Sequence, residues 1–180
     1  MEIKTERLIL REFSEKDYDF FYNLKNNEYI HEFEADEIPS KEEITKKFSQ
    51  ILESKNKNPR KYYDFIFVKK NEGVPMGRVL IWEIDDNIKE WEIGWEIHPD
   101  FAGKGYSTEA SKALVEFAFK ELKIHRLQAL CNDKNIRSEN IMKKIGMKKE
   151  GVIRAVRYLN KKWDGSLIYS IIDIDYEENN

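Results

Sequence analysis

Ile97-His98-Pro99-Asp100-Phe101-Ala102-Gly103-Lys104-Gly105-Tyr106-Ser107-Thr108-Glu109 joins a strand to a helix through a turn of small residues. Upstream, Trp91, Ile93, Trp95 and Ile97 alternate with Glu92, Gly94, Glu96 and His98, the period of a strand with one apolar face. Downstream, Ala110, Ala113, Leu114, Phe117 and Ala118 recur at the spacing of a helix with one buried stripe. Gly103 and Gly105 allow close approach of a ligand to the backbone. The first N–H groups of the helix have no acceptor inside it, and the macrodipole favours negative charge there. The junction is a candidate cradle for a pyrophosphate.

Three readings of the turn compete. A Walker A loop needs Gly-x-x-x-x-Gly-Lys-[Ser/Thr]; here Lys104 precedes Gly105 and the first glycine is missing, so that reading fails. The dinucleotide fingerprint finds Gly103 and Gly105 but Thr108 in third place, and His125 stands where an acidic ribose ligand belongs. The remaining alternative is a turn that only tightens the entry to a helix.

Working outward, Leu8-Ile9-Leu10 reads as a strand and Ser14 as the cap of a helix carrying Tyr18, Phe21, Tyr22 and Leu24. Ser40 and Glu43 have capping-box spacing and open a helix over about 41–54. Tyr62–Val68, Met76–Ile84 and Trp91–Ile97 are aromatic and β-branched runs separated by turns, the pattern of three consecutive antiparallel strands. A strand at 125–131, a short helix at 138–144 and strands at 148–158 and 166–175 complete the chain, with Glu177-Glu178-Asn179-Asn180 read as a frayed tail. The expected fold is α+β: one domain over 1–180, a mostly antiparallel mixed sheet with helices on both faces.

Composition excludes several classes. At 180 residues the chain fits one domain, and 31 basic against 34 acidic residues give a net charge of -3, no general attraction to a nucleic acid. Cys131 is the only cysteine and His31, His98 and His125 are scattered, so no metal site is expected. The first residues lack the apolar core of a signal peptide and no run is long enough to span a membrane, which predicts a cytoplasmic protein with no membrane partner. The acidic group Glu28, Glu32, Glu34, Asp36 and Glu37 reads either as an attractor for a cationic partner or as a solvated face.

The turn resembles the pyrophosphate-binding segment of the GNAT superfamily of N-acetyltransferases, Gln/Arg-x-x-Gly-x-Gly/Ala, with Ala102 in place of Gln/Arg and Ser107 in place of Gly/Ala. Thr5-Glu6-Arg7-Leu8-Ile9-Leu10-Arg11 and Ile93-Gly94-Trp95-Glu96-Ile97-His98-Pro99 resemble strands of its RimJ/RimL-like branch, which also holds spermidine acetyltransferases. Asn135-Ile136-Arg137-Ser138 through Gly146-Met147 is similar to that branch's Asn-x-x-Ser…Gly-Phe block, with Met147 where Phe is commoner. The resemblance implies the GNAT fold, acetyl-CoA as co-substrate, a primary amine as acceptor (a protein N-terminus, a polyamine or a small molecule) and a possible homodimer. An acyl-CoA sensor of the same fold is the alternative. It further implies that Ala102, Gly103, Lys104, Gly105, Tyr106, Ser107 and Thr108 hold the pyrophosphate, and that the backbone of Ile97 and His98 and the side chain of Asn135 hold the pantetheine.

Acetyl transfer to nitrogen needs a neutral amine and a thiolate that can leave. Deprotonating a lysine-like amine of pKa ~10.4 costs about 4.6 kcal/mol at pH 7, an α-amino group of pKa ~8 only about 1.4 kcal/mol. Glu92 and Glu96 share one strand face. By resemblance Glu92 falls near the family's base, directly or through water, with Glu96 attracting a cationic amine; a solvated strand face is the competing reading. Many family members carry a tyrosine where this chain has Met142, and the resemblance gives the thiolate-protonating role to Ser138, whose plain reading is a helix cap.

Overall fold

The structure, a computed structural model, describes residues 1–34 and 37–178. Its strands are β1 (Glu2–Lys4), β2 (Leu8–Glu12), β3 (Tyr62–Lys69), β4 (Pro75–Asp85), β5 (Glu90–Ile97), β6 (Arg126–Asn132), β7 (Lys148–Leu159) and β8 (Lys162–Ile172). They form one sheet in the order β1-β2-β3-β4-β5-β6-β8-β7. Neighbours are antiparallel except β5 and β6, which run parallel. The connection between those two contains α4 (Tyr106–Lys120), the crossover a parallel pair requires. The remaining helices are α1 (Tyr18–Lys25), α2 (Glu28–His31), α3 (Lys41–Ser54), α5 (Ile136–Lys144) and α6 (Asp173–Glu178).

Both sheet faces are covered, as expected of the α+β reading. On one, Phe65 and Phe67 of β3 join Val79, Ile81 and Ile93 in a core closed by Ala110, Leu114 and Ala118 of α4. On the other, Ile66 and Val68 pack with Phe21 of α1 and Ile44, Phe48 and Ile51 of α3. Burial on both faces is why β3 reads as a continuous apolar run rather than an alternating one. The helix at 41–54 has its capping box: Ser40 N–H donates to Glu43 Oε2 at 2.8 Å and Glu43 N–H to Ser40 Oγ at 3.3 Å.

The structure corrects three expectations. β1 was not foreseen, because three half-polar residues pairing at Ile3↔Leu10 carry no periodicity of their own. The last strand ends at Ile172, not 175: Asp173 N–H donates to His125 O at 3.0 Å, and Asp173 and Asp175 occupy the first turn of α6, where helix electrostatics favour acidic groups. The short helix starts at Ile136 with Asn135 as its cap, its side chain accepting from Ser138 N–H at 3.0 Å, so Ser138 lies inside the first turn and is not the cap. The tail residues Asn179 and Asn180, and Asp36 of the acidic group, lie outside the described residues.

Candidate active site

β5 and β6 pair only at Glu90↔Arg126, Trp91↔Leu127 and Glu92↔Gln128, although β5 continues to Ile97 and β6 to Asn132. Past Glu92 the two strands lose each other, and a cleft of about 420 Å³ occupies the opening. Because side chains alternate along β5, the cleft has two chemically different halves. Ile93, Trp95 and Ile97 face α4, and that half includes Ser107, Asn135 and Ser138. Glu92, Gly94 and Glu96 face α1, and that half is walled by Leu80, Trp82, Tyr29 and Phe33.

The turn leading into α4 lies on the first half. Gly103 and Gly105 have φ of +76° and +82°, a region that L side chains rarely adopt. Gly105 caps α4 without supplying a side-chain acceptor. The N–H groups from Gly103 to Thr108 consequently have no protein partner among the described contacts, and Gly103, Lys104 and Gly105 are exposed. Ala102 differs, since its N–H donates to Pro99 O at 3.1 Å. The turn is held from outside by Arg7, which donates to Lys104 O at 3.1 Å and to Glu109 Oε2 at 2.6 Å and lies over the Tyr106 ring at 4.5 Å. Thr5 Oγ1 donates to the other oxygen of Glu109 at 2.6 Å. Burial pushes Glu109 up, but Thr5 and Arg7 outweigh it and keep the carboxyl below its usual range. Exposed, uncapped amides in a pre-set turn fit the two phosphates of coenzyme A.

Both main-chain groups of His98 are used within the protein: its N–H donates to Met76 O at 2.8 Å and its carbonyl accepts from Phe101 N–H at 3.0 Å. Its ring Nδ1 accepts weakly from Asp100 N–H at 3.4 Å. Asn135 lines the cleft with its oxygen spent on the α5 cap, leaving its amide NH₂ free to donate. Ser138 lines the same half, beside Cys131, whose thiol burial pushes up to about 11. Met142, at the family's tyrosine position, is buried in the core and not in the cleft.

On the second half, Gln128 Nε2 donates to Glu92 Oε2 at 2.9 Å. Burial raises the Glu92 pKa, against the pull of Gln128 and Arg157. Glu96 is different: Lys25 Nζ lies 2.9 Å and Arg78 Nη1 4.0 Å from its carboxylate. Burial pushes Glu96 up, and these two cations outweigh it and hold it below the usual range. Its charge is therefore already matched, which leaves little of it to attract an amine.

Beneath Glu96 lies a buried ion pair that sequence reading missed, Arg78 Nη2 to Asp64 Oδ2 at 2.9 Å, with Tyr62 O–H donating to the same oxygen at 2.7 Å. The signal was present: Asp64 and Arg78 each stand in the middle of an apolar stretch, within the runs Tyr62–Val68 and Met76–Ile84. Also missed were Arg137, which pairs with Glu32 and lies over the rings of Tyr29 and Phe33, and Arg157, which pairs with Glu34 at 2.6 Å. Together they hold the segment after α1 over the cleft.

A sheet parted between two parallel strands, with free helix-start amides on one side and a half-buried carboxyl on the other, defines a two-substrate transferase. The chain belongs to the GNAT acetyltransferases: residues 7–148 match the Acetyltransferase (GNAT) domain. As such it is an acetyl-CoA-dependent N-acetyltransferase. It is 31% identical over 176 residues to the uncharacterized N-acetyltransferase YnaD of Bacillus subtilis, covering 98% of this chain and 99% of that one. The crystal structure of a GNAT-family acetyltransferase from Bacillus anthracis matches with a TM-score of 0.83 and 26% identity, over 97% of this chain and 99% of the other. Spermidine N-acetyltransferase from Vibrio cholerae, solved with CoA and spermine, shares the fold at TM-score 0.83 and 19% identity, over 96% and 99% of the two chains. Among the described residues no helix is long and apolar enough to cross a membrane, and no cluster of His, Cys, Asp and Glu suits a metal ion.

Proposed function

We propose that acetyl-CoA enters on the α4 side of the opening, the amine on the α1 side, and that the two meet where β5 and β6 part at Glu92. The observation carrying this reading is the end of pairing at Glu92↔Gln128, where Glu92, whose pKa burial raises, lines the mouth between the halves. The N–H groups of Gly103 to Thr108 would hold the pyrophosphate, and Ile97's main chain with the Asn135 side chain the pantetheine. Glu92, directly or through a water, takes a proton from the ammonium; the free amine attacks the thioester carbonyl and the C–S bond breaks as the C–N bond forms, while the Ser138 hydroxyl gives its proton to the departing sulfur and is restored by the proton that the acylated nitrogen sheds. A thiol of pKa ~8.5 needs only modest help to leave at neutral pH. Glu96, tied to Lys25 and Arg78, fixes the α1-facing side of β5.

Thiol release from acetyl-CoA, followed across a panel of amines, tests the reading: amine-dependent release supports it, and binding without release contradicts it. Because Asn135 and not Ser138 caps α5, Ser138→Ala is expected to reduce kcat about tenfold or more with the acetyl-CoA Kd and the melting temperature nearly unchanged. An equal loss in both kinetic parameters together with a lower melting temperature would give Ser138 a structural role instead.

The β7–β8 edge exposes Val152, Ile153, Val156, Tyr158 and Trp163. An apolar exposed edge strand invites pairing, and we propose that a second copy covers it. Light scattering should then read twice the mass of one chain, and half that value in a Val156→Lys/Trp163→Lys variant.

A further inference from the structure

The charges around the amine half of the cleft are nearly all matched. Of the carboxylates lining it, Glu34 is paired with Arg157 at 2.6 Å and Glu96 with Lys25 at 2.9 Å. Glu92 alone of these carboxylates, among the described residues, forms no ion pair; its hydrogen bond comes from the neutral Gln128 amide, and Arg157 acts on it only through its charge. An acceptor with several ammonium groups would bring one charge that finds a carboxylate and others that find none, next to Lys25, Arg137 and Arg157.

Arg157 supplies the complementary half of a recognition pair. It reaches the cleft from β7, the outermost strand, just past an irregularity between Ile153 and Arg157 where Ala155 takes φ +52°. Such a bulge re-aims the residue that follows it. Of the five N–H donors in a guanidinium, one on Nη1 is engaged by Glu34 Oε2 at 2.6 Å, while Nε is buried with no partner. The positive charge of Arg157 is also close enough to pull on the Glu92 carboxyl. The cleft thus presents one carboxylate for an amine and one under-used planar donor for an oxygen. Arg is the side chain suited to that second task, since its fork matches carbonyl and carboxylate geometry.

Resting on the acetyltransferase reading above, we propose that the acceptor is an α-amino carbonyl compound, with its amino group at Glu92 and its neighbouring acyl oxygen at Arg157, and that Arg157 is the residue that selects it over polyamines. An α-amino group also loses its proton more easily than an alkylamine, which suits a cleft offering one carboxyl as base. The acyl oxygen could belong to a free amino acid or to the first residue of a peptide. Because Glu34 already neutralises Arg157, an uncharged carbonyl is the better match.

The test compares kcat/KM, corrected for the free-base fraction of each amine, for alaninamide, an alanyl peptide, alanine, propylamine and spermidine. Alaninamide and the peptide are expected to exceed propylamine by about tenfold or more, with alanine below them and spermidine no better than propylamine. Arg157→Gln should bring the ratio of alaninamide to propylamine close to one, with Arg157→Lys in between. Glu34→Gln, which frees the guanidinium without touching it, should raise the ratio, and serves as the second variant should Arg157→Gln fold poorly. A preference for spermidine, or a ratio that Arg157→Gln and Glu34→Gln both leave alone, overturns the assignment. Loss of acetyl-CoA binding and of turnover with every amine would instead overturn the enzyme reading beneath it, and this assignment with it.

Discussion

Glu92→Gln is expected to lower kcat/KM for amine acetylation about 10²- to 10⁴-fold, the range for loss of a general base, while leaving the fold at least as stable at neutral pH. The two halves of that expectation have one cause. Burial raises the Glu92 pKa above its unfolded value, so the ionised form is disfavoured by folding, and stability is lost as pH rises through the folded pKa. Glutamine removes that ionisation, and its amide oxygen can still accept from Gln128. The base, by contrast, works only when ionised, so wild-type activity should fall as pH drops through the raised Glu92 pKa. In Glu92→Gln this limb of the pH profile should vanish. Wild-type turnover with the full pH dependence intact would remove Glu92 from the chemistry.

The second large effect lies in stability. Arg78→Met should cost about 3–5 kcal/mol, because it strands the carboxylate of Asp64 in the core and takes one of two cations from Glu96. For a chain of this size that corresponds to a melting temperature lower by roughly 6–20 °C. Adding Asp64→Asn to Arg78→Met should recover a large part of the loss, since the cost comes from an uncompensated charge rather than from the absent pair. Glu96 adds a pH signature: its pKa is depressed in the folded state, so its contribution is present above the unfolded pKa and is lost as pH falls through the folded value. Arg78→Met should flatten that acid limb. A shift under about 1 kcal/mol would mean the pair does not hold β3 to β4 as its burial implies.

Much of this was legible in the sequence because local rules decide it. The capping box of Ser40 and Glu43, the alternation along Trp91–Ile97 and the stripe from Ala110 to Ala118 each specify an element without reference to the rest of the chain. The phosphate turn was legible for the same reason, as two glycines ahead of a helix stripe. What local rules cannot give is pairing. Parallel β5 and β6 part after Glu92 because of how the whole sheet is assembled, and no residue type announces it. Arg157 and Arg137 reach the cleft from β7 and α5 to meet Glu34 and Glu32, separations of more than a hundred residues. The loops at about 26–40 and 56–62, the natural places to choose an acceptor, carry no motif that names one; Tyr29, Ile30, His31, Phe33 and Glu34 of the first line the cleft, whereas Lys57, Pro59, Lys61 and Tyr62 border a separate depression with Lys47 and Ile51. Asp64 and Arg78 show the opposite case, where a charged residue in an apolar run was itself the clue to a buried partner.

The most direct measurement is a crystal structure with coenzyme A. Density for the two phosphates on the main-chain amides of Gly103 to Thr108, with the sulfur end lying in the opening between Glu92 and Ser138, is the expected result. Coenzyme A bound elsewhere, or no binding at saturating concentration, would contradict it.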